Sequence, residues 1–318
     1  MRRGRGIPDA MYDTRTAPGA VRPRRPWLRV FLTGLILWLL TVGVTLLTGN
    51  PNLIPTLVLL GSFLVPVSFV VWAFGRRHSG EVTAELLFST FVTGGVLGVL
   101  AASLLESYLL HPSPALFLGV GLIEEAAKLA ALAFLARHLQ HKYAFDGLIL
   151  GASVGFGFAA FESAGYAFTA LFTEQGLSLM QLVQTELLRG VLAPVGHGLW
   201  TAILGGVLFS ASGRRHFAFT GRLLLSYLGV AVLHALWDSM HSIALLLTLV
   251  LTGTPYQYGL LQRGYEPEPT AAQTNLFTAL SWGGLIVVSL IGIAWLLAVR
   301  RSADREARAV LWRIPIRR

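Results

Sequence analysis

The chain has 318 residues, of which 54% are hydrophobic and only 13% charged, and it contains no cysteine. This composition excludes an ordinary soluble domain and indicates a polytopic membrane protein, while the missing cysteine excludes disulfides, thiolate nucleophiles and cysteine metal ligands. The formal net charge is +9, but the basic residues lie at predicted membrane edges, so we expect no nucleic-acid partner.

The first 27 residues are rich in Arg, Pro and Gly, which predicts a disordered basic tail. The apolar run that follows is too long for the hydrophobic segment of a cleaved signal peptide. We predict that residues 28–299 form the transmembrane domain and that residues 300–318 form a second basic tail.

Apolar runs of about 20 residues, the length that a membrane-spanning helix needs, recur along this domain. They lie at 28–48, 53–74, 87–108, 115–135, 146–172, 187–210, 223–250 and 277–299. The predicted fold class is therefore all-α, a polytopic membrane helix bundle of about eight transmembrane helices. The connections are short, and the longest, 252–276, is predicted to be a loop.

The basic residues test this count, because Lys and Arg concentrate in cytoplasmic loops. All but three of the 25 Lys and Arg residues lie in the two tails or beside alternate connections; the exceptions are Lys128, Arg189 and Arg263. This alternation predicts that both termini are cytoplasmic. We expect an integral protein of a bacterial plasma membrane, with its basic tails near anionic lipid headgroups.

Ionisable side chains occur at a similar depth in four of the spans. With a rise of about 1.5 Å per residue, Glu124 lies about 15 Å into its span, near the bilayer midplane. His197 and His234 lie at a similar depth, and Glu162 lies slightly further out. Because lipid does not tolerate such groups singly, we expect them to face inward and meet. Three other residues are expected to reach the membrane interface instead: Glu106, Arg189 and His241.

The spacing within two spans brings polar residues onto one helix face. Glu124 and Lys128 are i,i+4 neighbours and Glu125 and Lys128 are i,i+3 neighbours, so Lys128 can neutralise one of the paired acids. His234 and Asp238 are also i,i+4, and Asp238 can fix the tautomer of that imidazole.

Small residues and a proline predict where helices approach closely or bend. Gly147, Gly151 and Gly155 repeat every four residues, which indicates a face for close helix packing. Pro194 and Gly196 precede His197, and a proline inside a helix frees a carbonyl group and kinks the helix.

Two kinds of chemistry suit these residues. A carboxylate and an imidazole can activate water as a general base and protonate a leaving amine, with a second imidazole stabilising an oxyanion. Alternatively, His197 and His234 with Glu124 or Glu125 form a zinc ligand set, with the adjacent Glu as the base. The usual metalloprotease signal, H-E-x-x-H, is absent.

Four short motifs occur in one order between about residues 115 and 245: "EEAAK" (124–128), "FAAFESAGY" (158–166), "HGLW" (197–200) and "HALWD" (234–238). At these motifs the sequence resembles the PrsW family of intramembrane proteases, which is distantly similar to the CAAX prenyl endopeptidases and bacteriocin-processing enzymes. The resemblance implies a membrane-embedded endopeptidase. It also implies a membrane-anchored protein substrate, such as an anti-sigma factor or a similar single-span regulator.

The resemblance implies catalytic roles for Glu124, Glu125, His197 and His234. Lys128, Glu162 and Asp238 are expected to support them. The CAAX enzymes carry E-E-x-x-x-R and a second-motif histidine, where this chain has Lys128 and Glu162. We expect a glutamate-activated water and no cofactor, with zinc as the alternative, because paired acids beside a cation suit a base better than a closed metal shell.

A proton- or ion-coupled transporter is the alternative function, because acids, imidazoles and a lysine at the midplane also suit a proton relay. Transporters often contain paired broken helices. The sequence shows one Pro-Gly break and no matching second one, which favours the protease.

Overall fold

The computed structural model describes residues 25–76, 80–212 and 216–311, with side chains up to residue 305. Nearly all of the predicted disordered segment 1–27 lies outside the described residues. Pro26 and Trp27 already belong to the first helix, and Pro26 stands at the helix start, where its missing N–H has no intrahelical partner to lose.

The described residues form a helical bundle, as the apolar runs predict. The helices are α1 Pro26–Thr48, α2 Ile54–Phe74, α3 Ala84–Leu109, α4 Leu116–Leu135, α5 Ala144–Ala170, α6 Leu179–Leu192, α7 His197–Ser212, α8 Gly221–Asp238, α9 Met240–Thr252, α10 Pro255–Gln262 and α11 Ala271–Leu311. Two 3-10 helices, Pro51–Leu53 and Ala193–Val195, precede α2 and α7. A short antiparallel hairpin, β1 Phe172–Thr173 and β2 Gly176–Leu177, joins α5 to α6.

Six helical segments of the described chain are long and apolar enough to cross a membrane, or seven if the bent pair α8 and α9 counts as one span. This confirms an all-α polytopic membrane protein. Helix α4 is not among these segments, because three of its 20 residues are charged. The count of eight, and the side on which each terminus lies, stay predictions.

Two of the predicted spans are broken. The sixth begins at Leu179, eight residues before the predicted start, and a 3-10 segment containing Pro194 separates α6 from α7. The seventh was predicted as one span, 223–250, but α8 and α9 meet at an angle of 60°. Ser239 lies at this bend and its hydroxyl donates to the Ala235 carbonyl at 2.6 Å, a type of bond that often bends helices.

The prediction that 252–276 is a loop was wrong for Pro255–Gln262, which forms α10, and for 271–276, which belongs to α11. Thr254 caps this helix in a capping box with Gln257, and Pro255 at the first helical position fixes the backbone for helix entry. The side-chain amides of Gln257 and Gln273 exchange two hydrogen bonds of 3.0 Å. These bonds tie α10 to the start of α11.

The segment before α3 is tied to the segment after α4 by a carboxylate outside the membrane-spanning helices. Glu81 accepts from the backbone N–H of Gln140 at 2.7 Å, and its other oxygen lies 2.7 Å from Nδ1 of His141. Burial alone would raise the pKa of Glu81, but these hydrogen bonds outweigh it and hold the pKa below its ordinary value.

Helix α5 occupies the centre of the bundle and packs most closely against α7. The predicted small-residue face makes this contact: Gly147 lies against Gly205, Gly151 against Thr201 and Gly155 against His197. At each of these positions an added Cβ atom would collide with a backbone carbonyl of α7. The glycine row therefore sets the distance at which α7 presents its first residue, His197, to the interior.

Replacing Gly155 by Leu is expected to lower the free energy of unfolding in detergent by about 1–3 kcal/mol or more, because the new side chain overlaps the His197 carbonyl. Gly165→Leu is the matched control, because an added Cβ at Gly165 has no neighbour within 4 Å. Thermal unfolding measures both variants. Equal stability of the two would contradict the close α5–α7 packing.

Candidate active site

The paired acids and the lysine of α4 form a buried ion cluster. Nζ of Lys128 lies 3.0 Å from Oε2 of Glu124 and 2.8 Å from Oε1 of Glu125. The lysine and Glu125 are both fully buried, and Glu124 is 6% exposed. The i,i+3 and i,i+4 spacings thus make the contacts that they predict. Nζ also lies 4.0 Å above the Phe158 ring of α5, a favourable place for a cation.

His197, at the start of α7, joins this cluster to α5. Its Nδ1 lies 2.8 Å from Nζ of Lys128, and its Nε2 lies 2.9 Å from Oε2 of Glu162. An ammonium group can only donate hydrogen bonds, so Nδ1 accepts and the ring proton on Nε2 is directed at Glu162. The carboxylate of α5 therefore fixes the orientation of this imidazole.

His234 of α8 lies on the other side of the paired acids. Its Nδ1 is 3.1 Å from Oε1 of Glu125, and its Nε2 is 3.2 Å from Oδ2 of Asp238 and 3.6 Å from Oε2 of Glu124. The centroids of the His197 and His234 rings are 5.0 Å apart. The structure thus brings together all seven residues singled out from the sequence, from four different helices.

A glycine explains how α8 comes so near to α4. Gly121 lies one turn before Glu125, and an added Cβ there would overlap the Ala231 carbonyl of α8 and approach the Cβ of His234. The hydroxyl of Tyr227 donates to the Leu122 carbonyl at 2.7 Å and fixes the same contact. Close packing at Gly121 therefore places the imidazole of His234 against the acids.

Two residues that were expected at the membrane interface contribute to the site. Arg189 of α6 donates to Glu162 and, at 2.7 Å, to Ser163, so its guanidinium extends the network. Glu106 of α3 lines the same cavity as Glu124. The early start of α6 explains the error for Arg189, which lies ten residues into the helix and not two. His241, at the start of α9, borders a separate, mainly apolar cavity.

A cavity of about 480 Å³ reaches this cluster, and Glu124, Glu162, His197 and Asp238 are part of its wall. Glu125 and His234, at 0% and 1% exposure, lie behind that wall. The remaining lining comes mainly from the ends of α3, α4, α5 and α8 that adjoin residues 110–115, 171–178 and 239, and from α6. The cavity thus lies in the half of the bundle that contains these connections.

Glu124, His197 and His234 can supply three metal ligands, with donor atoms within 4.8 Å of one another. Nδ1 of His197 accepts from Lys128 in this structure, so a bound ion would replace the ammonium group at that nitrogen. Two ligands of a tetrahedral zinc ion lie roughly 3.4 Å apart, close to the 3.6 Å between Nε2 of His234 and Oε2 of Glu124. Each imidazole also faces a further carboxylate, Glu162 or Glu125, through its other nitrogen. Such carboxylate partners are typical of metal-binding histidines. The donor set therefore fits a divalent metal ion.

The charges of the network favour the same interpretation. Four carboxylates and two cations are joined in it, which leaves two formal negative charges when both imidazoles are neutral. One negative charge is left when His234, whose two ring nitrogens both face carboxylates, is protonated. Uncompensated charge is costly in a low-dielectric interior. Among the described residues, Oε2 of Glu125 moreover has no hydrogen-bond partner, although it is buried. A divalent cation would balance the network.

Comparison with known proteins assigns the chain to a family. A family profile described as "PrsW family intramembrane metalloprotease" matches residues 82–261, which include all seven predicted site residues. Protease PrsW from Halalkalibacterium halodurans is 27% identical over 168 residues, which cover 52% of this chain and 73% of that protein. No solved structure matches the chain. The match over more than half of its length shows that this integral membrane protein belongs to the PrsW family of intramembrane proteases.

Proposed function

We propose that this protein hydrolyses a peptide bond of a membrane-anchored protein substrate, in or beside the substrate's membrane segment, at the cluster formed by α4, α5, α7 and α8. One observation carries the proposal: Glu124 and His197 share the wall of a cavity of about 480 Å³ inside the bundle. A cavity of this size is within the range of ligand pockets and holds several residues of an extended chain.

We assign to Glu124, and not to Glu125, the role of third ligand of the metal ion that would activate the attacking water. Glu124 is part of the cavity wall, whereas Glu125 is fully buried and is held by Lys128 and His234. We assign to Glu125 a positioning role, in which it fixes Lys128 and orients His234. Lys128 in turn compensates the charge of both acids, which lets two adjacent carboxylates exist at this depth.

The resident cofactor of the proposal is a divalent metal ion, with zinc as the best fit, held by Glu124, His197 and His234. When bound, such an ion polarises a carbonyl group and lowers the pKa of water. Glu162 accepts a hydrogen bond from Nε2 of His197 and so orients this imidazole. Arg189 in turn forms an ion pair with Glu162. Asp238 lies in the cavity wall beside His234, and we assign to its carboxylate the transfer of a proton from the attacking water to the leaving amine.

The proposed substrate is a single-span regulator such as an anti-sigma factor, and it would reach the site from the non-cytoplasmic side. The cavity lies in the half of the bundle next to residues 110–115 and 171–178. Neither segment contains Lys or Arg, and loops without basic residues are expected on that side.

Purified protein in liposomes tests the proposal against the transporter interpretation. A single-span reporter protein and an entrapped pH-sensitive dye are followed in the same vesicles. We expect two reporter fragments and no proton flux above that of empty liposomes. Proton flux with an intact reporter would contradict the proposal.

A further inference from the structure

Glu106 is a carboxylate in the cavity wall that the proposed mechanism does not use. It lies near the end of α3 and shares a helix face with Val99, Ala102 and Ser103, which also line the cavity. These four positions are spaced i, i+3, i+4 and i+7, so α3 presents one continuous stripe to the cavity. A peptide chain lying in the cavity would run along this stripe.

No hydrogen bond or ion pair within the described residues accounts for the position of the Glu106 carboxylate. Its Oε1 is buried and accepts no hydrogen bond within the described part of the chain. The other carboxylates of the cavity wall are engaged, Glu124 by Lys128, Glu162 by Arg189 and Asp238 by His234. A buried carboxylate oxygen without a donor is unfavourable, so a ligand that supplies a donor there would be bound selectively.

We propose that Glu106 is a specificity residue that binds a Lys or Arg side chain of the substrate near the bond that is cut. A cationic side chain supplies both the missing hydrogen-bond donor and the missing positive charge. Basic residues are scarce at the non-cytoplasmic ends of membrane spans, so this requirement would separate substrates from most other single-span proteins. The inference rests on the proposed protease function.

A reporter series tests this role. Single-span reporters carry Lys, Gln or Glu at each of the positions flanking the cut, and kcat/KM is measured in liposomes for the wild type, Glu106→Gln and Glu106→Lys. We expect the wild type to prefer the best Lys reporter over its Gln counterpart by about tenfold, the effect of one charge-assisted hydrogen bond. In Glu106→Gln this ratio should fall to about one, and Glu106→Lys should prefer the Glu reporter.

The control is Glu85→Gln, which removes an exposed carboxylate from the first turn of the same helix and should keep the wild-type ratio. An unchanged Lys-to-Gln ratio in Glu106→Gln would overturn the specificity role and leave the protease function standing. A loss of cleavage by equal factors for all reporters would also overturn it, because a merely structural residue does not alter the ratio. Failure of the wild type to cut any reporter would contradict both the protease function and the specificity role of Glu106.

Discussion

Replacing Glu124 by Gln is expected to lower the cleavage rate of a single-span reporter about a thousandfold, because it removes a charged ligand of a metal ion that contributes several kcal/mol to catalysis. The amide keeps the size of the side chain but loses the negative charge with which Glu124 would hold the metal ion at the cavity wall. Lys128 retains its 2.8 Å contact with Glu125, so the buried ammonium group is not left unpaired. We therefore expect a folded and inactive protein.

Thermal unfolding in detergent establishes that the Glu124→Gln variant is folded. Glu85→Gln, the same chemical change at an exposed position of α3, is the control and should cut at the wild-type rate. Cleavage by Glu124→Gln within a few-fold of the wild type would show that Glu124 does not activate the water.

Removal of divalent metal with a membrane-permeant chelator is expected to lower the cleavage rate on the order of a hundredfold or more, because a bound ion contributes several kcal/mol to stabilising the developing charge. Added zinc should restore the rate. Elemental analysis of the purified protein should find about one divalent ion per chain, and the His197→Ala variant should lose it, because His197 is one of the three candidate ligands.

The chelator experiment has its own control. A non-chelating isomer of the same compound should leave the rate unchanged, which excludes an effect on the bilayer. Full activity in protein freed of metal would contradict the metal centre and favour the metal-free, glutamate-activated water that the paired acids alone suggest.

The sequence predicts that the polar residues meet, because it shows how deep each one lies in its membrane span and which of them are ionisable and therefore costly to bury in lipid. Glu124, His197 and His234 lie about halfway along apolar runs, and a buried ionisable residue is tolerated only where it finds partners. Helical spacing also predicted the contacts of Lys128 with both acids and of His234 with Asp238. These predictions need only the position of a residue within its own helix and the spacing along that helix.

The contacts between helices could not be predicted in the same way. Helix α6 begins at Leu179, within a polar segment that an apolar window passes over, so Arg189 was placed at a span end. The pairing of Glu162 with His197 and Arg189 depends on how α5, α6 and α7 pack. Likewise, adjacent residues of a helix point in different directions. The helices packed around α4 therefore determine that Glu124, and not Glu125, faces the cavity.

Cleavage in water enriched in oxygen-18 tests most directly whether this cluster splits peptide bonds. The purified wild type and a single-span reporter are incubated together in liposomes, and the fragments are weighed by mass spectrometry. The account predicts one new carboxyl terminus, in or beside the membrane segment, that carries a single heavy oxygen and is missing from the Glu124→Gln reaction. An intact reporter, or labelled fragments formed equally well by Glu124→Gln, would contradict it.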